Sequence, residues 1–250
     1  MATYPGRKDS WKKVVDRLLP QCDRLCICFN GYDKLPDIPK SNKIIAIVAN
    51  GKNGIKDLGC NNKMYWLGDF PGYYMTVDDD IEYPTNYVSQ MLEKIKAYND
   101  KVIVSLHGHI YINVDDGKIQ FKNRRVFPFH VKRNKDVYCH RVGMGVAIMK
   151  PAVIKIKKDI FLTAEKNSGD DEITALWAQL NKVPLVCAAI KDIPKDKIQK
   201  DTYCLWLDKT SMNKRQAYLE SYTNWKLYTM SNEEIFFRII IPTYNLGTLI

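Results

Sequence analysis

The chain has 250 residues, 46% of them hydrophobic, and a formal charge of +10 at pH 7. That length supports a full core in one large domain, or one domain plus a fragment of another. No apolar run approaches the ~20 residues needed to span a bilayer. Residues Met1–Arg7 lack the apolar core of a signal peptide, so a cytoplasmic chain is expected. The seven cysteines are scattered and odd in number, which fits reduced thiols. The positive charge favours anionic partners such as nucleotides or acidic polymers. The lysines are spread along the chain rather than gathered into one groove, and no nucleic-acid partner is expected.

In chain order, Asp9 or Ser10 caps a helix running to about Leu19, with Trp11, Val14, Val15 and Leu18 near helical spacing. Pro20 ends it. Arg24–Phe29 reads as a strand closed by the turn pair Asn30-Gly31, with Cys26 and Cys28 as core residues on one of its faces. Ile44–Ala49 is a second strand, followed by the glycine-rich loop Asn50–Gly54. A loop at Lys56–Gly59 precedes Lys63–Leu67. Asn86–Tyr98 is a strong amphipathic helix, and Val102–His107 a buried strand that Gly108–Ile112 continues. His107 and His109 share a face if that strand persists. Core histidine and ligand contact are both open for each.

Asp115-Asp116-Gly117 signals a solvated turn. Residues Lys122–Arg141 interleave cations with Phe127, Phe129 and His130, a mixture suited to sugar stacking or to plain exposed surface; Arg141 closes it. Val142–Met149 is a strand whose glycines allow close approach of a ligand or backbone. Asp170, Asp171 and Glu172 open a helix over Ile173–Leu180, where acidic residues favour the helix dipole. Pro184–Ile190 is the last sheet strand, and Asn213–Leu227 an amphipathic helix or linker. The alternation of strand and helix predicts an α/β fold with a mostly parallel central sheet flanked by helices. Residues 1–195 form the expected domain, 196–236 a helical extension or linker, and 237–250 a terminal strand or the start of a second domain.

One stretch organises this plan, Gly72–Pro84. It begins as a buried strand and stops on Asp78-Asp79-Asp80, with Pro84 beyond. Three clustered carboxylates at a strand's carboxyl end repel one another unless a cation joins them, and open α/β sheets bind ligands at that edge. Hard oxygen ligands select Mg2+ or Mn2+, which take further ligands from substrate phosphates. A solvated acidic turn is the competing reading.

Thr3-Tyr4-Pro5-Gly6-Arg7, Lys56-Asp57-Leu58-Gly59, Val77–Ile81 with Tyr83-Pro84 and Tyr87-Val88, and His107-Gly108 with Ile110-Tyr111 occur together in this order. The set resembles the bacterial capsule glycosyltransferases typified by the α-1,4-N-acetylglucosaminyltransferase of heparosan synthesis, over roughly Met1–Ile190. That family's pattern begins several residues earlier. The resemblance implies a GT-A fold, a UDP-sugar donor (UDP-N-acetylglucosamine first), Mn2+ or Mg2+, and a growing polysaccharide acceptor. By resemblance, Thr3, Tyr4, Arg7, Lys56, Asp57, Asp78 and Asp79 serve the donor. Asp80 holds the metal with Asp78, and Asp171 or Glu172 lies by the reacting sugar. His107, His109 and Arg141 are candidates for sugar or acceptor contact. The resemblance also suggests other capsule-synthesis proteins at the inner membrane surface as partners. Residues Ile239–Asn245 separately resemble the opening strand of a family 2 glycosyltransferase. A nucleotidyltransferase and a non-catalytic polysaccharide-binding domain remain as alternatives.

Overall fold

The computed structural model describes residues 1–7, 10–112, 118–195 and 209–230. Asp9, the turn expected at residues 115–117 and the strand expected within 237–250 lie outside them. The chain opens with β1 (Ala2–Thr3), a 3-10 turn at Pro5–Arg7, α1 (Ser10–Leu18), β2 (Leu25–Asn30) and β3 (Ile44–Ala49). A longer 3-10 turn at Gly59–Met64 leads into β4 (Tyr74–Val77) and α2 (Tyr87–Ala97). Six short strands follow. They are β5 (Ile103–Ser105), β6 (Gly108–Tyr111), β7 (Arg124–Phe127), β8 (Val137–Cys139), β9 (Arg141–Val142) and β10 (Val146–Met149). The helices α3 (Pro151–Ile154), α4 (Asp159–Leu162) and α5 (Asp170–Asn181) come next, then β11 (Leu185–Cys187) and α6 (Lys209–Glu220).

The strands make a parallel sheet β1-β2-β3, a five-stranded sheet β4-β10-β5-β11-β8 and a small sheet β7-β6-β9. The central sheet corrects the expectation of a mostly parallel one. Only β5 and β11 pair in parallel there; β10 runs antiparallel to both β4 and β5, and β8 antiparallel to β11. The crossover β4–α2–β5 does return the chain in the same direction, as a helical crossover should. Its two strands are not neighbours, because β10 inserts between them. An apolar run reports burial on both faces and carries no direction, so this insertion leaves no trace in hydrophobic pattern.

The strand expected to run on through His107 is broken there. The Ser105 hydroxyl donates to the Gly143 carbonyl at 2.7 Å and accepts the His107 amide at 3.2 Å. The chain leaves the central sheet at that point and enters the small one. The expected strand Val142–Met149 is likewise split, with Gly143-Met144-Gly145 passing from β9 to β10.

The apolar stripe of α1 buries Trp11, Val14, Val15 and Leu18, and the Trp11 ring meets Phe29 of β2 edge-on at 5.2 Å. Tyr87, Met91 and Ile95 do the same for α2. In the segment expected as an extension, Leu219 of α6 and Trp225 are buried in the apolar cluster that also holds Ala175 and Ala178 of α5. Among the described residues no helix is long and apolar enough to cross a membrane.

Tyr83 fastens β4 to β10 where the acidic run begins. Its buried hydroxyl accepts the Asp78 amide at 2.8 Å and donates to the Gly145 carbonyl at 2.5 Å. Tyr83→Phe removes both contacts, for an expected loss of about 1 kcal/mol and a fall in Tm of about 2–4 °C. Unchanged melting would show the hydroxyl to be dispensable.

Candidate active site

Charged side chains from six separate stretches of chain, on or beside all three sheets, converge near the carboxyl end of β4. Among the described residues, Asp78, Asp79, Asp80, Asp170, Asp171 and Glu172 form ion pairs with Arg7, Lys63, Arg141 and Arg215. Nearly all are buried, so each charge depends on its partners rather than on water.

The donor-side expectation brings Thr3, Tyr4 and Arg7 to the acidic run. Thr3 ends β1 and is buried; the 3-10 turn after it aims Arg7 back at β4. The Arg7 guanidinium lies 3.4 Å from Asp79 and closer still to Asp80. It also receives support from Tyr4, whose hydroxyl lies 3.3 Å from Nε. Burial opposes the Arg7 charge, and Asp79 with Asp80 more than restores it, so its pKa is raised. Burial pushes the Asp79 carboxyl up to about 7 against the pull of Arg7.

Asp78 faces elsewhere. Its Oδ1 takes a 2.6 Å contact from Lys63 Nζ, and the same ammonium lies 2.9 Å from Asp170 Oδ2. Lys63 comes from the 3-10 turn, and burial alone would lower its pKa. Asp170 and Asp78 outweigh that and hold it well above the usual lysine value. The position of Asp78 depends on Gly145, since a Cβ there would stand 2.0 Å from Asp78 Oδ2.

Lys56 and Asp57 lie on the loop above this turn. Asp57 accepts the Gly59 amide at 2.9 Å and pairs with Lys166 at 2.5 Å; Lys56 is exposed. Asn62 ties the loop down by donating to the Lys56 carbonyl at 3.0 Å and to Asn30 Oδ1 at 2.7 Å.

At α5 the acidic residues are not caps. Gly169 is the N-cap and no side chain caps the helix; Asp170, Asp171 and Glu172 are its first three residues. Asp171 accepts the Met144 amide at 2.6 Å and an Arg141 Nη2 donation at 2.7 Å. Burial acts to raise its pKa, yet Arg141, Arg215 and Lys63 together hold it below the ordinary aspartate value. Burial wins at Asp170 and Glu172, whose values are raised. Glu172 sits 2.7 Å from Arg141 and 3.6 Å from Arg215 of α6. Exposure separates the carboxylates further: the side chains of Asp78 and Asp171 remain 39% and 19% exposed, those of Asp80 and Asp170 only 3%.

His107, His109 and Arg141 do come together. Arg141 pairs in register with His109 across β9 and β6, and its Nη1 meets His109 Nδ1 at 2.5 Å. A guanidinium only donates, so Nδ1 of His109 accepts and the ring proton sits on Nε2. That proton is directed at His107 Nε2, 3.0 Å away. Burial, then Arg141, lowers the His107 pKa to about 4 and that of His109 further, so both rings are neutral at pH 7.

Residue reasoning missed Lys63, Arg215 and the role of Gly145. Lys63 stood as one lysine among many in a lysine-rich chain, and Arg215 in a segment read as extension. Only the glycine pair around Met144 left a signal, read then as room for close approach.

Among the described residues no three His, Cys, Asp or Glu side chains gather as a metal site. The donor set nevertheless suits a hard divalent ion that takes one or two carboxylates and completes its shell from substrate phosphates. Asp78 offers an accessible carboxylate for that purpose, whereas Asp80 is turned onto Arg7. The chain matches no protein-family model and no curated protein.

The raised Asp79 pKa has a measurable consequence. A carboxyl at about 7 in the fold and about 3.9 when unfolded contributes stability that is complete below the lower value and lost as pH rises through the higher one. Asp79→Asn mimics the protonated form. Its Tm relative to wild type should climb between about pH 4 and about pH 7 and then level off. A difference independent of pH would show that Asp79 ionises as readily in the fold as in the unfolded chain.

Proposed function

We propose that the chain is a glycosyltransferase that moves a sugar, N-acetylglucosamine first, from a UDP-sugar to a growing polysaccharide. The observation that carries this reading is the shared ammonium of Lys63. It joins the strand-end carboxylate Asp78 to Asp170 at the head of α5, two acidic clusters far apart in sequence. A strand-end acid run facing a second carboxylate cluster suits transfer from a nucleotide-sugar. One cluster meets the diphosphate end of the donor and the other the reacting sugar. On this reading the parallel sheet β1-β2-β3 is the nucleotide-binding part of a GT-A fold, and the protein works in the cytoplasm beside other capsule-synthesis proteins at the inner membrane.

The residue roles follow from charge and exposure. Arg7, supported by Tyr4, supplies positive charge near the donor's phosphates, with Asp79 and Asp80 holding it in place. Lys56 and Asp57 border the nucleoside side on a loop pinned by Asn62. Mn2+ or Mg2+, held by Asp78 and joined by Asp80 only if that residue leaves Arg7, would neutralise charge developing on the departing UDP. Asp171 stays ionised and partly exposed, as suits a group facing positive charge on the sugar or orienting the acceptor hydroxyl. His109 spends both ring nitrogens on Arg141 and His107, so of the two neutral rings only His107 keeps a nitrogen for a sugar contact.

A donor panel with Mn2+ or Mg2+, read by UDP release, tests the reading. UDP release from UDP-N-acetylglucosamine ahead of UDP-glucuronic acid is expected. Pyrophosphate as product would mean a nucleotidyltransferase, and no turnover of any donor would sink the proposal. Asp171→Asn keeps an oxygen for the Met144 amide but loses the charge. It should lower kcat by about 10²–10⁴-fold with donor affinity largely kept, while Tm falls because Arg141 keeps only Glu172 as a charged partner; near-normal turnover would assign Asp171 to structure.

A further inference from the structure

Lys63, like Arg7 through Nη1 and Arg141 through Nη2, holds two carboxylates with a single atom. Its Nζ lies 2.6 Å from Asp78 Oδ1 and 2.9 Å from Asp170 Oδ2, and its side chain is only 8% exposed. Arg7 and Arg141 are planar forks whose other nitrogens also engage Tyr4 and His109. An ammonium is instead a compact point charge, and two carboxylate oxygens converging on it form an arrangement that a small divalent cation also satisfies. Such an ion prefers one or two carboxylates with the rest of its shell from phosphates and water.

The surroundings agree on which carboxylates these are. Asp79 and Asp80 share Arg7 and stay buried with it, while Asp171 and Glu172 share Arg141. Both oxygens that converge on Lys63 come from residues in neither arrangement. Asp78 is the most exposed of the acidic run. Gly145 leaves the Asp78 carboxylate the room it occupies. Asp170 has its side chain inside the first turn of α5 without capping it, so its carboxylate has no structural duty apart from Lys63 in the contacts described. Attraction to Asp171 gives the ammonium a further carboxylate nearby.

We propose that Asp78 and Asp170, rather than Asp78 and Asp80, are the carboxylate pair for the divalent cation, and that Lys63 holds their place until ion and nucleotide arrive together. This deepens the transferase reading and rests on it for the identity of the nucleotide. Lys63 is then a positioning residue that keeps two buried acids folded in the resting protein. It also makes the bare ion bind poorly, because the ion must displace an ammonium already in place. The nucleotide's phosphates supply the remaining ligands, so ion and UDP bind synergistically.

Calorimetric titration of Mn2+ into the full chain tests this without any sugar transfer. Wild type should bind Mn2+ weakly alone and at least about tenfold more tightly with UDP present. Lys63→Met, which keeps the length of the side chain and drops the charge, should bind Mn2+ alone about tenfold more tightly than wild type. Adding Asp170→Asn to that variant should remove the gain, and adding Asp80→Asn should not. Lys63→Met should also melt lower than wild type in chelator and recover with millimolar Mn2+, a readout that remains if the variant is only partly folded. Equal or weaker Mn2+ binding by a folded Lys63→Met protein overturns the proposal. So does a loss of Mn2+ binding from Asp80→Asn but not from Asp170→Asn in the wild-type background. If Mn2+ and UDP behave as stated while no UDP-sugar is turned over, the transferase reading fails and the cation pair stands.

Discussion

Burying a carboxylate is costly unless a cation lies within a few ångströms, and this protein buries several at one seam. Lys63 meets that constraint most economically, since one ammonium satisfies an acid from β4 and another from α5. Arg141 repeats the device between β9 and α5, and Arg7 between the first turn and the acidic run. Breaking a buried pair by removing one member leaves an uncompensated charge, which costs far more than the intact pair contributes. The cluster therefore fixes where three sheets stand relative to one another, besides supplying the chemistry proposed for it.

The glycines at 143 and 145 make that seam possible. A side chain at the first would crowd the His107 ring, and one at the second would displace the Asp78 carboxylate. Between them the Met144 amide is free to hold Asp171. The backbone here acts as a ligand-shaped surface, with side chains removed where carboxylate and imidazole must approach.

Much of the local structure was legible. The stripe Trp11, Val14, Val15 and Leu18 gave α1, the run Ile44–Ala49 gave β3, and the acids before Ile173 marked the head of α5, because each is a periodic or compositional signal within one element. What escaped was relation between elements. The insertion of β10 between β4 and β5 depends on strand direction, which hydrophobic pattern does not encode. Of the acidic clusters, Asp78–Asp80 and Asp170–Glu172 were recognisable as charge, whereas their counter-ions were not. Lys63 and Arg215 differ from any other basic residue only in where the fold carries them. The acids at the head of α5 read from the sequence as partners of the helix dipole, and with Gly169 at the N-cap none of them caps the helix.

Arg215 has a practical meaning for anyone cutting this chain. It lies on α6, beyond the last sheet strand, yet it reaches back to a glutamate on α5 that is fully buried, with 0% of its side chain exposed. A fragment ending after β11 would keep every strand among the described residues and still leave Glu172 with one guanidinium instead of two. The smallest piece that preserves the charge balance of the seam must extend through Glu220, so the working boundary of this unit is set by an ion pair and not by the edge of its sheets.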